Sequence, residues 1–247
     1  MRVDVFFTAR EVAPGDVAGR VVAVIDVLRA SSCIAAALAN GARAVFPGET
    51  AEAVITRARA FDRREVRLAG ERRMRKIEGF DLGNSPLEFT REAVEGRAVL
   101  MTTTNGTVAL SATQGAKEVY VGAYVNFTPV AAALRRALRA GNDVTIVCAG
   151  HEGQFALEDA ACAGRFVRYT TQRLTRATMN DGALAAEQVH RKFGADVWGL
   201  FETSAHGQAL ADAGFAADLV ACATIDAHPV VPVYVDRQIT RLAPPEG

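Results

Sequence analysis

The sequence predicts an α/β fold of three layers, α/β/α, with a largely parallel or mixed sheet in the middle. Three observations carry this. Short β-branched runs alternate with Ala-rich stretches of helical period. Half of the 247 residues are apolar. Polar, glycine-rich segments recur just past the predicted strand ends. A chain of this length can form one large domain or two small, intimately packed lobes sharing a core. Residues 1–243 read as one unit, with a lobe boundary near residues 150 to 180 as the alternative, and Pro244 to Gly247 read as a frayed tail.

In order along the chain, Val3 to Thr8 and Val21 to Val27 read as strands, and Ser32 to Asn40 reads as a short helix that Gly41 stops. Ala44 to Phe46 is a short strand. In "ETAEAVITRARAF" acids come early and arginines late, the polarity that a helix dipole favours. Val66 to Ala69, Ala98 to Thr102, Glu118 to Val121 and Val144 to Cys148 are further strands, with helices between them, notably Pro129 to Ala140. This β-α-β-α rhythm argues for a sheet covered on both faces. "LEDAACAGRFVRYTTQRL" reads as a long helix and Asp181 to Lys192 as another. The chain closes on "VVPVYVDRQITRL", whose Pro232 suits an edge strand or a bulge.

Bulk properties exclude several classes of partner. Formal net charge is +0, so no global field draws in nucleic acid or anionic lipid. No apolar run approaches the roughly 20 residues needed to cross a bilayer, and the N-terminus lacks the apolar core of a signal peptide. Cys33, Cys148, Cys162 and Cys222 form no CxxC pair. Reduced, mostly buried thiols in a soluble cytoplasmic protein are expected. The sequence leaves oligomeric state open, a homo-oligomer included. Between Arg57 and Lys76 nine basic residues face only Asp62, Glu65 and Glu71. That stretch is either a solvated face or a basic rim around an anionic ligand.

Four segments carry chemistry, each at a strand end, where open α/β sheets bind ligands. In "VVAVIDVLRASS" a buried strand runs into Asp26 and Arg29, the wall of an anion site. A strand-end Asp also resembles the nucleophile of haloacid-dehalogenase-type phosphatases. That motif wants a second Asp two residues on, where this chain has Leu28. In "GFDLGNSPLEF", Asn84 or Ser85 caps a turn opened by Pro86, and its free N–H groups suit an anion. In "TTTNGT", Thr103, Thr104, Asn105, Gly106 and Thr107 offer hydroxyls, an amide and a permissive backbone, without the Gly-Lys-[Ser/Thr] of a nucleotide-binding loop. In "VCAGHEGQFALEDAACAG", Glu158 and Asp159 open a helix, either as dipole partners or as site residues.

Charge decides what these segments do together. Two unit charges about 4 Å apart interact by about 4 kcal/mol at an effective dielectric of about 20. Several acids beside a phosphate dianion therefore call for a cation between them, and oxygen ligands alone suit Mg²⁺. Two patterns carry less weight. Cys162 and Arg168 have the spacing of cysteine phosphatases but fall inside a predicted helix. The four histidines lack zinc spacing, and His206 reads as a turn or core histidine or as a proton donor.

Taken together, "DVLRASS", "GFDLGNSP", "TTTNGT", "CAG…LEDAACAG" and the late "SAHGQAL…GF…D" resemble the magnesium-dependent 2-phosphosulfolactate phosphatase (ComB-type) family, in order from about residue 21 to residue 226. The sequence departs from that pattern at Cys33, where a small hydroxyl residue is expected, and at "ERRMRK", which is more basic than the usual glycine-rich stretch. The resemblance implies a compact three-layer α/β fold. It implies Mg²⁺-dependent hydrolysis of 2-phosphosulfolactate, or a related 2-phosphorylated hydroxy acid, to 3-sulfolactate on the route to coenzyme M. In this reading Asp26, Glu158 and Asp159 hold the metal, and Arg29 clamps phosphate or the substrate's acid groups. Thr103, Thr104, Asn105, Gly106 and Thr107 bind phosphoryl oxygens, and Asn84 and Ser85 bind the carboxylate or sulfonate. The alternatives are a non-catalytic small-anion binding protein and a haloacid-dehalogenase-like phosphatase that uses Asp26 as nucleophile.

Overall fold

A computed structural model describes residues 1–174 and 177–243; the tail at Pro244 to Gly247 lies outside them. The first half of the chain supplies strands β1 (Arg2–Phe6), β2 (Val21–Ile25), β3 (Ala44–Pro47), β4 (Val66–Arg72), β5 (Arg75–Lys76) and β6 (Ala98–Thr102). Between and after them run helices α1 (Ala30–Ala39), α2 (Ala51–Ala58), α3 (Arg91–Val94) and α4 (Gly106–Ser111). The second half alternates β7 (Glu118–Gly122), α5 (Phe127–Arg139), β8 (Val144–Cys148), α6 (Leu157–Thr171), β9 (Thr178–Met179) and α7 (Asp181–Phe193). Short helices α8 (Val197–Thr203), α9 (Ala205–Asp212) and α10 (Ala216–Ala223) follow, then β10 (Pro232–Val235) and β11 (Gln238–Arg241). No helix among the described residues is long and apolar enough to cross a membrane. All four cysteines are buried and unpaired.

The strands form one mixed sheet in the order β5-β4-β6-β3-β11-β10-β7-β2-β8-β1-β9. Its faces are covered as the alternation of β2 requires. Val21, Ala23 and Ile25 pack into one core with α5, α6 and α7, while Val22 and Val24 pack into another with α1 and α4. The strand β2 is buried along its whole length and pairs in parallel with both β7 and β8. It therefore delivers Asp26 from the middle of the sheet.

The C-terminal strands correct the expectation of an edge. Strands β10 and β11 form an antiparallel hairpin in the middle of the sheet. Pro232 fits because it is the first residue of β10, where a missing N–H is tolerated. Each flank of the hairpin is held by a single registered pair, Val233 with Tyr120 and Ile239 with Val45. Three successive antiparallel pairings thus separate the parallel set β4-β6-β3 from the parallel set β7-β2-β8-β1. In a flat sheet the carboxyl ends of the two sets would lie at opposite edges. Yet a Cβ on Gly106, beyond β6, would fall 2.9 Å from Asp26, beyond β2. The sheet therefore coils across the hairpin, and strand ends from both sets meet in one place.

Close approach of α6 and α7 fixes the outer layer. A Cβ on Gly164 would fall 1.9 Å from the carbonyl oxygen of Ala186, so only glycine fits there without moving backbone. Gly164→Ala is predicted to cost about 3 kcal/mol, or roughly 6–12 °C in melting temperature. Gly15→Ala, which meets nothing within 4 Å, serves as the control. Calorimetry showing equal melting temperatures for the two variants would contradict this packing.

Candidate active site

Asp26 leaves β2 as the strand gives way to the turn before α1. The Ser31 hydroxyl accepts the Asp26 N–H at 2.9 Å and Ser32 Oγ donates to the Val27 carbonyl at 2.8 Å, so the two hydroxyls brace the turn. Asp26 Oδ1 accepts the Ala30 N–H at 3.2 Å. Oδ2 faces Gly106, whose missing side chain lets the segment after β6 lie against the carboxylate.

A cavity of about 290 Å³ opens there. Asp26, Arg29, Asn84, Thr103, Thr104 and Asn105 line it, all expected from sequence. The structure adds Glu71, Arg72, Arg73 and Met74 from the β4–β5 hairpin, with His151, Glu152 and His206 on the other side. A larger cleft of about 870 Å³ lies between α2, α4 and the turn of the β10–β11 hairpin, and it contains none of these residues.

Of four buried carboxylates here, Asp26 and Glu71 line the cavity while Glu158 and Asp159 lie behind its lining, and their hydrogen bonds divide them. Asp159 Oδ1 accepts the Val27 N–H at 2.8 Å and Oδ2 the Gly150 N–H at 3.1 Å, so this residue ties the end of β2 to the end of β8. Glu71 accepts the N–H and hydroxyl of Thr104 at 3.0 and 2.8 Å and the Met74 N–H at 2.9 Å. Glu158 Oε1 lies 2.9 Å from His206 Nδ1, whereas its Oε2 is buried without a partner. The ring of His151 stacks on His206 at 3.9 Å. Burial, and then the charges of Glu71 and Glu158, push the Asp26 carboxyl up to about 6, against the pull of the Ala30 N–H and His206. Burial and the charges of Asp26 and Glu158 raise Asp159 as well. Burial, followed by His206, lowers His151.

Several expected ligands turn out to be committed elsewhere. Arg29 is 3% exposed. Its Nη1 donates to Asp218 at 2.6 Å, Nη2 donates to the Met74 carbonyl at 3.3 Å, and the guanidinium sits 4.2 Å over the Phe215 ring. The Ser85 hydroxyl donates to the other Asp218 oxygen at 2.6 Å. Thr107 Oγ1 donates to the Thr103 carbonyl, within the turn that starts α4. Of these three only Arg29 lines the cavity; Ser85 sits behind it on Asp218, and Thr107 borders the larger cleft instead, so both serve the site only by holding its turns in place. Asn105 Oδ1 accepts the Glu152 N–H at 3.2 Å, which leaves its NH₂ as a donor. Thr103 Oγ1 and Asn84 Oδ1 are buried without partners.

Sequence reasoning passed over Glu71, His151 and Asp218, and read His206 chiefly as structural. Glu71 lies near the end of β4 and His151 just past β8, each directly after a glycine, a signal that was present. Asp218, in the first turn of α10, looks like an ordinary partner of the helix dipole.

Among the described residues no three His, Cys, Asp or Glu side chains gather as a ready cage for an ion. The oxygens left over are Asp26 Oδ2 and Glu158 Oε2. Two carboxylates suit Mg²⁺, which keeps several waters and takes further oxygens from a phosphate.

The 2-phosphosulpholactate phosphatase family matches residues 6–237. A probable 2-phosphosulfolactate phosphatase of Symbiobacterium thermophilum is 40% identical over 227 residues, 92% of this chain and 96% of that protein. A probable 2-phosphosulfolactate phosphatase of Clostridium acetobutylicum is 33% identical over 239 residues, 97% and 100% of the two chains. One of Pseudothermotoga lettingae is 38% identical over 246 residues, 98% and 100%.

Asp218→Asn would leave the Arg29 charge buried and uncompensated. The variant is predicted to lose about 3 kcal/mol in denaturant unfolding. A loss below about 1 kcal/mol would contradict a buried pair at this position.

Proposed function

The chain belongs to the 2-phosphosulfolactate phosphatase family, and from that premise we propose that it is a Mg²⁺-dependent phosphatase. Its substrate in this reading is 2-phosphosulfolactate, or a closely related 2-phosphorylated hydroxy acid, which it hydrolyses to 3-sulfolactate and phosphate. One observation supports this most. Buried carboxylates crowd a cavity that also presents neutral donors, an arrangement that repels a phosphate ester unless a cation intervenes.

Asp26 Oδ2 and Glu158 Oε2 would hold the ion, with Asp159 behind them fastening the two loops. A divalent ion there supplies positive charge to the phosphoryl oxygens and lowers the pKa of water. The remaining work falls to the chain's own groups. The Asn105 NH₂ and the Thr103 hydroxyl donate to phosphoryl oxygens from fixed positions. Asn84, which lines the cavity, offers its NH₂ to the carboxylate or sulfonate of the substrate. His206 is oriented by Glu158: a carboxylate only accepts, so the shared proton resides on Nδ1 and Nε2 is left to serve the reaction. Protonated at Nε2, the ring hands a proton to the oxygen that leaves phosphorus. His151, stacked against it, limits rotation of the ring. Leu28 stands where a haloacid-dehalogenase-type acid would be, so His206 takes the donor role in this reading.

Phosphate release from 2-phosphosulfolactate tests the proposal. EDTA is expected to abolish turnover and added Mg²⁺ to restore it; full activity after stringent metal removal would contradict the metal. Asp26→Asn is expected to lower kcat by about 10³. His206→Gln is expected to lower kcat by about 10²–10⁴, with a smaller effect on KM. Wild-type kcat in either variant would remove that residue from the mechanism.

A further inference from the structure

The cavity is lined by three arginines, and they are not equivalent. Arg29 is buried and its charge is matched by Asp218 at 2.6 Å. Arg72 and Arg73 are exposed, line the cavity, and among the described residues neither pairs with a carboxylate. Other arginines of the same basic stretch do find partners. Arg63 meets Asp81 at 2.6 Å, and Arg57 lies over Phe46. The stretch is therefore a solvated face at its start and a rim of the site at its end.

The hairpin that carries this rim is held from below by the site itself. Arg73 and Met74, between β4 and β5, have φ of 52° and 67°, a region where glycine or asparagine is usual in such turns. Glu71 accepts the Met74 N–H, and Arg29 donates to the Met74 carbonyl. Arg72 rests on two neutral acceptors, the Glu71 carbonyl at 2.9 Å and Thr102 Oγ1 at 3.3 Å. Hydrogen bonds from its own N–H and from Thr50 hold the Glu52 carboxyl low, and the Arg72 charge helps from a distance, but among the described residues Arg72 forms no ion pair. Left-handed backbone at non-glycine residues, fixed by groups that also line the cavity, points to a function for the turn.

Resting on the function proposed above, the charges can be assigned. The substrate carries a phosphoryl dianion and two further acid groups, and a divalent ion offsets only the first. We infer that Arg72 and Arg73 form a subsite for the strongly acidic group at the end of the substrate remote from phosphorus, a sulfonate or its like, and that this pair sets specificity for doubly acidic substrates. A guanidinium matches two oxygens of a sulfonate with two parallel hydrogen bonds, which an ammonium does not.

The test is the ratio of kcat/KM for 2-phosphosulfolactate to that for 2-phospholactate, which lacks the sulfonate, in wild type and in Arg72→Gln/Arg73→Asn. Asparagine is chosen because it tolerates the left-handed backbone. The ratio is expected to fall about tenfold in the variant. A ratio within threefold of wild type would overturn the subsite, as would equal losses on both substrates. Arg73→Lys alone provides a second variant that keeps the charge, and its ratio is expected to fall between the two. If the wild type releases no phosphate from either acid, the proposed activity fails, and calorimetry then decides the subsite independently. 3-Sulfolactate is expected to bind wild type about tenfold more tightly than lactate, a preference lost in the double variant. Equal binding of the two acids, or no binding of 3-sulfolactate, overturns it.

Discussion

Like charges buried around a small cavity repel one another, and burial weakens the screening that would let them coexist. Asp26, Glu71, Glu158 and Asp159 meet this constraint in different ways. Glu71 and Asp159 are satisfied by hydrogen bonds from the chain, largely from backbone N–H groups, and they act as fasteners between loops. Asp26 has a single N–H partner, and Glu158 shares one oxygen with His206 and leaves the other without any. The shortfall is concentrated on the two groups proposed to hold the ion. A site that completed their hydrogen bonding internally would be more stable and would have nothing left to offer a cation or a phosphate ester.

The fold creates this crowding through the central hairpin. By reversing strand direction three times, β10 and β11 let two parallel sets of strands bring their carboxyl ends together across a coiled sheet. The β2 and β8 ends contribute Asp26 and the turn with His151, and Asp159 ties them to each other. The β4 and β6 ends contribute the arginine hairpin and the Thr-Asn-Gly turn. Glu71 ties that hairpin to that turn, and Arg29 ties it to the turn after β2. Each half thus holds part of the site. Loosening the hairpin in the middle of the sheet would separate the parts without touching any of them.

Much of this was legible in the sequence because it was local. The strand-turn-helix segments announce themselves by composition, and Asp26, Asn84, Thr103, Thr104 and Asn105 do reach one cavity. What could not be read were pairings between distant residues. Arg29 meets an aspartate 189 positions away, and His206 meets Glu158 across 48. Nothing in "DVLRASS" shows that its guanidinium is already neutralised, so Arg29 looked free while the free guanidiniums lay in "ERRMRK". Pro232 misled for a related reason. It excludes a donor from one position in a strand, and it does not say whether that strand lies at the edge or in the middle.

The central claim is that a divalent ion relieves the repulsion at Asp26. Soaking crystals in Mn²⁺ and measuring its anomalous scattering tests this directly. The account predicts a peak bonded to Asp26 Oδ2 and no farther from Glu158 Oε2 than one bridging water. A well-ordered site with Asp26 and Glu158 in place and no peak between them would contradict it.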